Sequence, residues 1–209
     1  MRYLSINRRK PHLVDLLVTK VPGAFSYKLK KSTAFDGSVP FTDFLTSPNT
    51  GYRDRNVDDS SNYTVYGDKV RILFDPTTYG ISDTNIWWLK LAPLDDVGAE
   101  MFVTPPTMMY QPNIGGSYFP QFAITGNAPN QPDLANSLEI HFPHQIRDMR
   151  IQSTAALWAA FDSNGQEILL QGSTLPKDLN RWSTESVLFV RGNAAIVPFS
   201  LLFTLAYTR

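Results

Sequence analysis

Cysteine is absent from the 209-residue chain. That excludes disulfide staples and thiolate-bound metal, and it fits synthesis in a reducing compartment. Long hydrophobic runs are absent too. A membrane helix needs about 20 apolar residues, and the nearest approach, Ala194 to Tyr207, is broken by Pro198, Ser200 and Thr204. No membrane partner is therefore expected. Near the N-terminus, Arg8, Arg9, Lys10 and Pro11 interrupt the segment and Asp15 interrupts the next, so no secretion signal is expected.

Chemical motifs are equally scarce. There is no Walker loop, no Gly-x-Ser-x-Gly elbow and no HExxH pair. Of the three histidines, His12 stands alone, and His141 and His144, three apart on a strand, point to opposite faces. The carboxylate pairs Asp58–Asp59 and Asp95–Asp96 are adjacent and diverge, which does not suit two acids flanking one glycosidic bond. Asp54, Asn56, Asp58 and Asp59 alternate like calcium ligands but lack the glycine and the closing glutamate of an EF-hand loop. No catalytic residue, no cofactor and no metal is expected, and the chain is read as non-enzymatic.

What is present is strand and turn chemistry. Thirteen Phe, nine Tyr and four Trp supply core material, while fifteen Pro and twelve Gly are scattered as punctuation. Period-two alternation places Val70, Ile72 and Phe74 on one face, and likewise Leu138, Ile140 and Phe142. A longer run puts Val197, Phe199, Leu201, Phe203, Leu205 and Tyr207 together. Pro198, opposite them, has no N–H for a ladder and predicts an edge or a bulge. Residues 147–160 contain helix formers but are read as two strands turning near Ser153 and Thr154. Turns are expected at Val21-Pro22-Gly23-Ala24, Ser163-Asn164-Gly165 and Arg191-Gly192-Asn193. The fold class is all-β, with two antiparallel β-sandwich domains. Gln111–Ser117 reads as the boundary, giving a basic N-terminal arm over 1–10, a first sandwich over 11–112 and a second over 117–209.

Net charge is zero but segregated. Residues 1–31 carry eight Lys/Arg against Asp15, whereas residues 32–115 carry five basic and eleven acidic residues. Such asymmetry lets copies or partners complement one another. The arm residues Arg2, Tyr3, Arg8, Arg9 and Lys10 are the first interface candidates. No second basic stripe follows, so direct nucleic-acid contact is not expected. Trp87 and Trp182 are the aromatic candidates, since exposed indoles anchor interfaces or stack on sugars.

The segments PGAFSYKLK, with Ala24, Tyr27 and Leu29, and IWWLKLAPLDDVGAE, with Trp88, Leu89, Leu91 and Ala92, carry a resemblance. Together with VTPPTMMYQP as a last strand, residues 13–112 resemble a fibronectin type III-like sandwich, in which Asn49–Tyr66 would be an extended loop. Residues 117–209 resemble the compact sandwich or jelly-roll-like domains of tailed-bacteriophage virion proteins, through LEIHFPHQIRDMRIQ, LWAAFDSNGQEILLQ and SVLFVRGNAAIVPFSLLFTLAY. That resemblance implies a virion structural protein made in the host cytoplasm, of the capsid cement or decoration type. It implies as partners the major capsid protein or other virion proteins, and further copies of the chain in a homo-oligomer. A tail, neck or baseplate component is the nearest alternative. A carbohydrate-binding module for host attachment is another, and it requires coplanar exposed aromatics.

Overall fold

The computed structural model describes residues 3–10, 13–54, 67–82, 85–109, 121–143, 146–161, 167–178, 186–192 and 194–205. Strands dominate, and the chain divides into two compact units, Met1–Thr33 with Val39–Ile114, and Ala34–Ser38 with Gly115–Arg209. The all-β expectation is met in both.

The first unit contains β1 (Leu4–Lys10), β2 (Leu13–Thr19), β3 (Ser26–Ser32), β4 (Thr42–Pro48), β5 (Tyr52–Arg53), β6 (Lys69–Phe74), β7 (Trp87–Leu94) and β8 (Thr107–Met109). Within it the strand orders are β1-β2-β6-β5 and β8-β7-β3-β4. Every pairing is antiparallel except that of the short β5 with β6. Three strands, β1-β2-β6, opposed to β8-β7-β3-β4 make the Greek-key order of a fibronectin type III-like sandwich, with β5 added at one edge. Alternation dictates the packing. Val14, Leu16, Val18, Val70, Ile72 and Phe74 from one set meet Tyr27, Leu29, Leu89 and Leu91 from the other in one core, all fully buried. The Tyr27 hydroxyl keeps a partner in that core by accepting from the Val21 N–H at 3.0 Å.

The second unit contains β9 (Gln121–Ala128), β10 (Leu138–His141), β11 (Ile146–Ser153), β12 (Leu157–Ala160), β13 (Ile168–Leu170), β14 (Ser173–Asp178), β15 (Val187–Gly192) and β16 (Val197–Leu205). Its orders are β14-β11-β16-β9 and β13-β12-β15-β10. The first strand pairs with the eighth, the second with the seventh, the third with the sixth and the fourth with the fifth, all antiparallel. One long hairpin rolled into two sheets has this connectivity, which is that of a jelly roll. Its core takes Val197, Phe199, Leu201, Phe203 and Leu205 from β16, all buried, with Phe203 meeting Phe142 edge-on at 4.9 Å.

Two expectations need correction. Residues 1–10 have the charge of an arm, yet Leu4–Lys10 forms β1, paired along β2. Leu4 and Ile6 alternate inward and join the core, a pattern that the neighbouring Arg8-Arg9-Lys10 run obscures in the sequence. Pro198 marks neither an outer edge nor a bulge, because β16 lies between β11 and β9. The β11 ladder ends at the Ser153–Phe199 pair, so Pro198 faces a partner only on the β9 side and its missing N–H breaks no bond.

A buried ion pair lies on the other face of the β2–β6 ladder. Asp15 is fully buried, and Arg71 donates to it through Nε at 2.9 Å and Nη2 at 2.7 Å. Removing one member leaves the other charged and dehydrated. Arg71→Ala is expected to lower the unfolding free energy by about 3–5 kcal/mol, read from urea titration by fluorescence. Deleting residues 1–10 should abolish cooperative unfolding of the first unit, because β1 and its two core side chains go with it; an unchanged transition would refute the placement of β1.

Candidate functional site

Two loops at one end of the first unit carry most of its exposed apolar surface. The β2–β3 loop turns through Pro22 and Gly23, whose φ of +80° is the left-handed position of a type II turn. The β7–β8 loop begins with a tight turn built on Asp95. Its backbone N–H donates to the Ala99 carbonyl at 3.0 Å, and its carboxylate accepts from the N–H of Val97 at 3.1 Å and of Ala99 at 2.7 Å. Gly98 takes the positive φ, +83°, that closes the turn.

The loops are pinned to one another through the strand ends between them. Phe25 donates its N–H to the Leu94 carbonyl at 2.8 Å, and Met101 donates to Pro93 at 2.9 Å. Phe25 is 69% exposed, Val97 83%, Met101 43% and Val103 44%. The other two large exposed hydrophobics among the described residues, Val39 and Ile196, lie elsewhere in the chain. Four exposed apolar side chains thus lie on two loops that are each bonded to the same end of β7, which holds them in place before any partner arrives.

A second concavity lies on the outer face of β9-β16-β11 in the jelly roll. Its volume is about 600 Å3. Thr125, Ser200 and Gln152 are register neighbours across the three strands and line its middle. Asp36 and Ser38, from the chain between β3 and β4, raise one wall beside edge strand β9. Phe35 covers Gly126 so closely that an added Cβ would lie 2.3 Å from the ring, and the ring packs 6.0 Å from that of Phe199.

The Asp36 carboxylate is fully engaged. One oxygen accepts from the Ser38 N–H at 3.0 Å and hydroxyl at 2.6 Å; the other accepts from the Asn127 N–H at 2.8 Å and Nδ2 at 3.0 Å. Burial pushes this carboxyl up, but the four donors outweigh burial and hold it below the usual 3.8.

The interface candidates that the structure describes all lie in the first unit. Tyr3 is half-buried, its ring 5.1 Å from that of Phe102. Arg8, Arg9 and Lys10 end β1, opposite Asp15, Val14 and Leu13 in register. Trp87 is half-buried against the core, with its indole N–H on the Ser82 carbonyl at 3.1 Å and the Lys31 ammonium 5.2 Å from its ring centroid. It is no open sugar-stacking platform. Arg2 and Trp182 lie outside the described residues, as do Asn56, Asp58, Asp59, His12 and His144. Asp54 is buried, and His141 is buried with its Nε2 at 2.6 Å from Glu139.

Sequence reading missed Phe25, Val97 and Asp36. The first two carried a signal, an apolar residue beside or inside a Pro-Gly or Asp-x-x-Gly turn, where polar residues are the rule. Asp36 carried none. A carboxyl depressed in the folded state stabilises fully above its unfolded value and loses that contribution as pH falls through the folded value. Asp36→Asn should therefore lower the unfolding midpoint at neutral pH, and the deficit should shrink as pH falls from about 5 to about 2; thermal melts across that range test it, and a pH-independent deficit would contradict it. No protein-family model, no curated protein and no solved structure matches this chain.

Proposed function

We propose that the chain is a non-enzymatic structural protein that docks on other protein surfaces through the apolar end of its first unit. Its proposed setting is a tailed-phage particle, as a capsid cement protein bridging major capsid subunits. The observation that carries the docking role is the exposure of Phe25, Val97, Met101 and Val103 on two loops bonded to the same end of β7. An interface gains most from a few large side chains entering partner pockets. Fixing them beforehand removes part of the ordering cost of association. In sandwiches of this connectivity, the β2–β3 and β7–β8 loops emerge at one end, away from the sheets, where they can contact a partner without disturbing either core. The particle setting rests on the sequence resemblance of residues 117–209.

The test is mass spectrometry of purified particles assembled with the parent chain or with the double variant Phe25→Ser, Val97→Asp. The parent is expected in the particle at stoichiometric occupancy. The double variant should fold normally yet fall at least about tenfold in occupancy, since losing two anchors of about 1–2 kcal/mol each has that effect. Full occupancy of the variant overturns the docking surface. Absence of the parent chain from particles overturns the setting, and recovery only with isolated tails replaces the cement role by a tail role.

A further inference from the structure

The jelly-roll groove has a lining that selects a ligand class. Asp36 is its one ionisable residue among the described residues, so no cation is there to attract a phosphate, sulfate or carboxylate. That carboxylate already accepts four hydrogen bonds from protein donors, so it does not offer the open oxygen cage a metal ion needs. Carbon atoms make up most of the exposed wall, but seven lining residues set a hydroxyl or amide among them, and a wholly apolar ligand would strand these. Thr125, Ser200 and Thr154 contribute hydroxyls beside the amides of Asn127 and Gln152, so neutral donors and acceptors share one surface. Pro198, exposed on the same face as Ser200, adds an apolar ring beside them.

A solvated sheet face is polar too, but it is not concave. Here the concavity is constructed. The Asp36–Ser38 segment is bonded to the free edge of β9 through Asn127, and Ser153–Thr154 stand at the end of β11 on the other side. Ser153 is fixed in turn by its hydroxyl, whose one proton can go to the Ala155 carbonyl at 2.8 Å or the Pro198 carbonyl at 3.1 Å. Both walls are held before any ligand arrives, as a weakly binding polar ligand requires.

We infer that this groove is a binding site for a neutral saccharide, whose paired hydroxyls match neutral donors and acceptors and whose ring C–H face suits the exposed Pro198 ring. The site is separate from the apolar loops of the first unit, and either can fail without the other. Its test is an array of immobilised neutral oligosaccharides built from glucose, galactose, mannose and N-acetylglucosamine, beside sialylated and sulfated counterparts, probed with the full chain. Binding is expected to neutral members. On adding the bound sugar, backbone amide shifts in NMR should concentrate at Gly126, Asn127, Ser153 and Ser200. The double variant Thr125→Ala, Ser200→Ala should weaken binding about tenfold through two lost hydrogen bonds, with an unchanged unfolding midpoint. A blank neutral set, binding restricted to anionic glycans, shifts centred elsewhere, or affinity that survives the double variant would each overturn the inference. If the variant loses its fold, the parent's shift map alone decides.

Discussion

Burial of one apolar face per strand, at a period of two residues, is the interaction on which both units depend. With no cysteine in the chain, no covalent cross-link supplements it. Each fully buried aliphatic or aromatic side chain contributes about 1.5–3 kcal/mol relative to exposure. The aligned faces of β2, β6 and β16 therefore dominate stability. The same alternation fixes register, because a slip by one residue would turn Val14, Leu16 and Val18 outward together. The loops that present Phe25 and Val97, and the groove along β16, hold their shape because these ladders cannot slide.

What the sequence made legible follows from that period. Val70, Ile72 and Phe74 read as a buried face and are one; so do Ile140 and Phe142, and the alternating β16 residues. Ala24, Tyr27, Leu29, Trp88, Leu89, Leu91 and Ala92, named as core positions, are all buried. The ambiguous stretch around Ser153 and Thr154 resolves into β11 and β12 because Met149 and Ile151 alternate as a strand does. Failure came where charge and periodicity disagreed. In β1 the basic run masks the alternation of Leu4 and Ile6, so a core strand has the charge pattern of an arm.

Polar burial was not legible, since it depends on which strands become neighbours. Asp15 looked like a break in an apolar run; in the fold it is a bidentate acceptor for Arg71, 56 positions later. Arg191 behaves alike. It bonds both oxygens of Glu167, at 2.6 and 2.7 Å, donates to the Gln131 carbonyl at 3.0 Å and lies 5.1 Å from the Trp158 ring centroid. Neither pairing has a local signature. The groove wall is the extreme case, because Asp36 reaches Asn127 across 91 positions.

The closure of the jelly roll by its first and last strands has a temporal consequence. Gln121 pairs with Thr204 and Ala128 with Val197, so β9 finds its ladder partner only after every other strand of the unit has been made. Phe35, which seals that ladder against Phe199, is made earlier still. Contacts of such long separation fold slowly, because chain entropy is lost before the pairing is gained. During synthesis the second unit must pass through a stage in which β9 and Phe35 await β16, with apolar surface open to solvent or to whatever else is at hand. The first unit begins with a hairpin of consecutive strands, β1 and β2, but there too β2 must wait for β6 and β3 for β7. Each unit closes only when its last partner strand is made, and β16, the last of all, sets when the protein is ready to act.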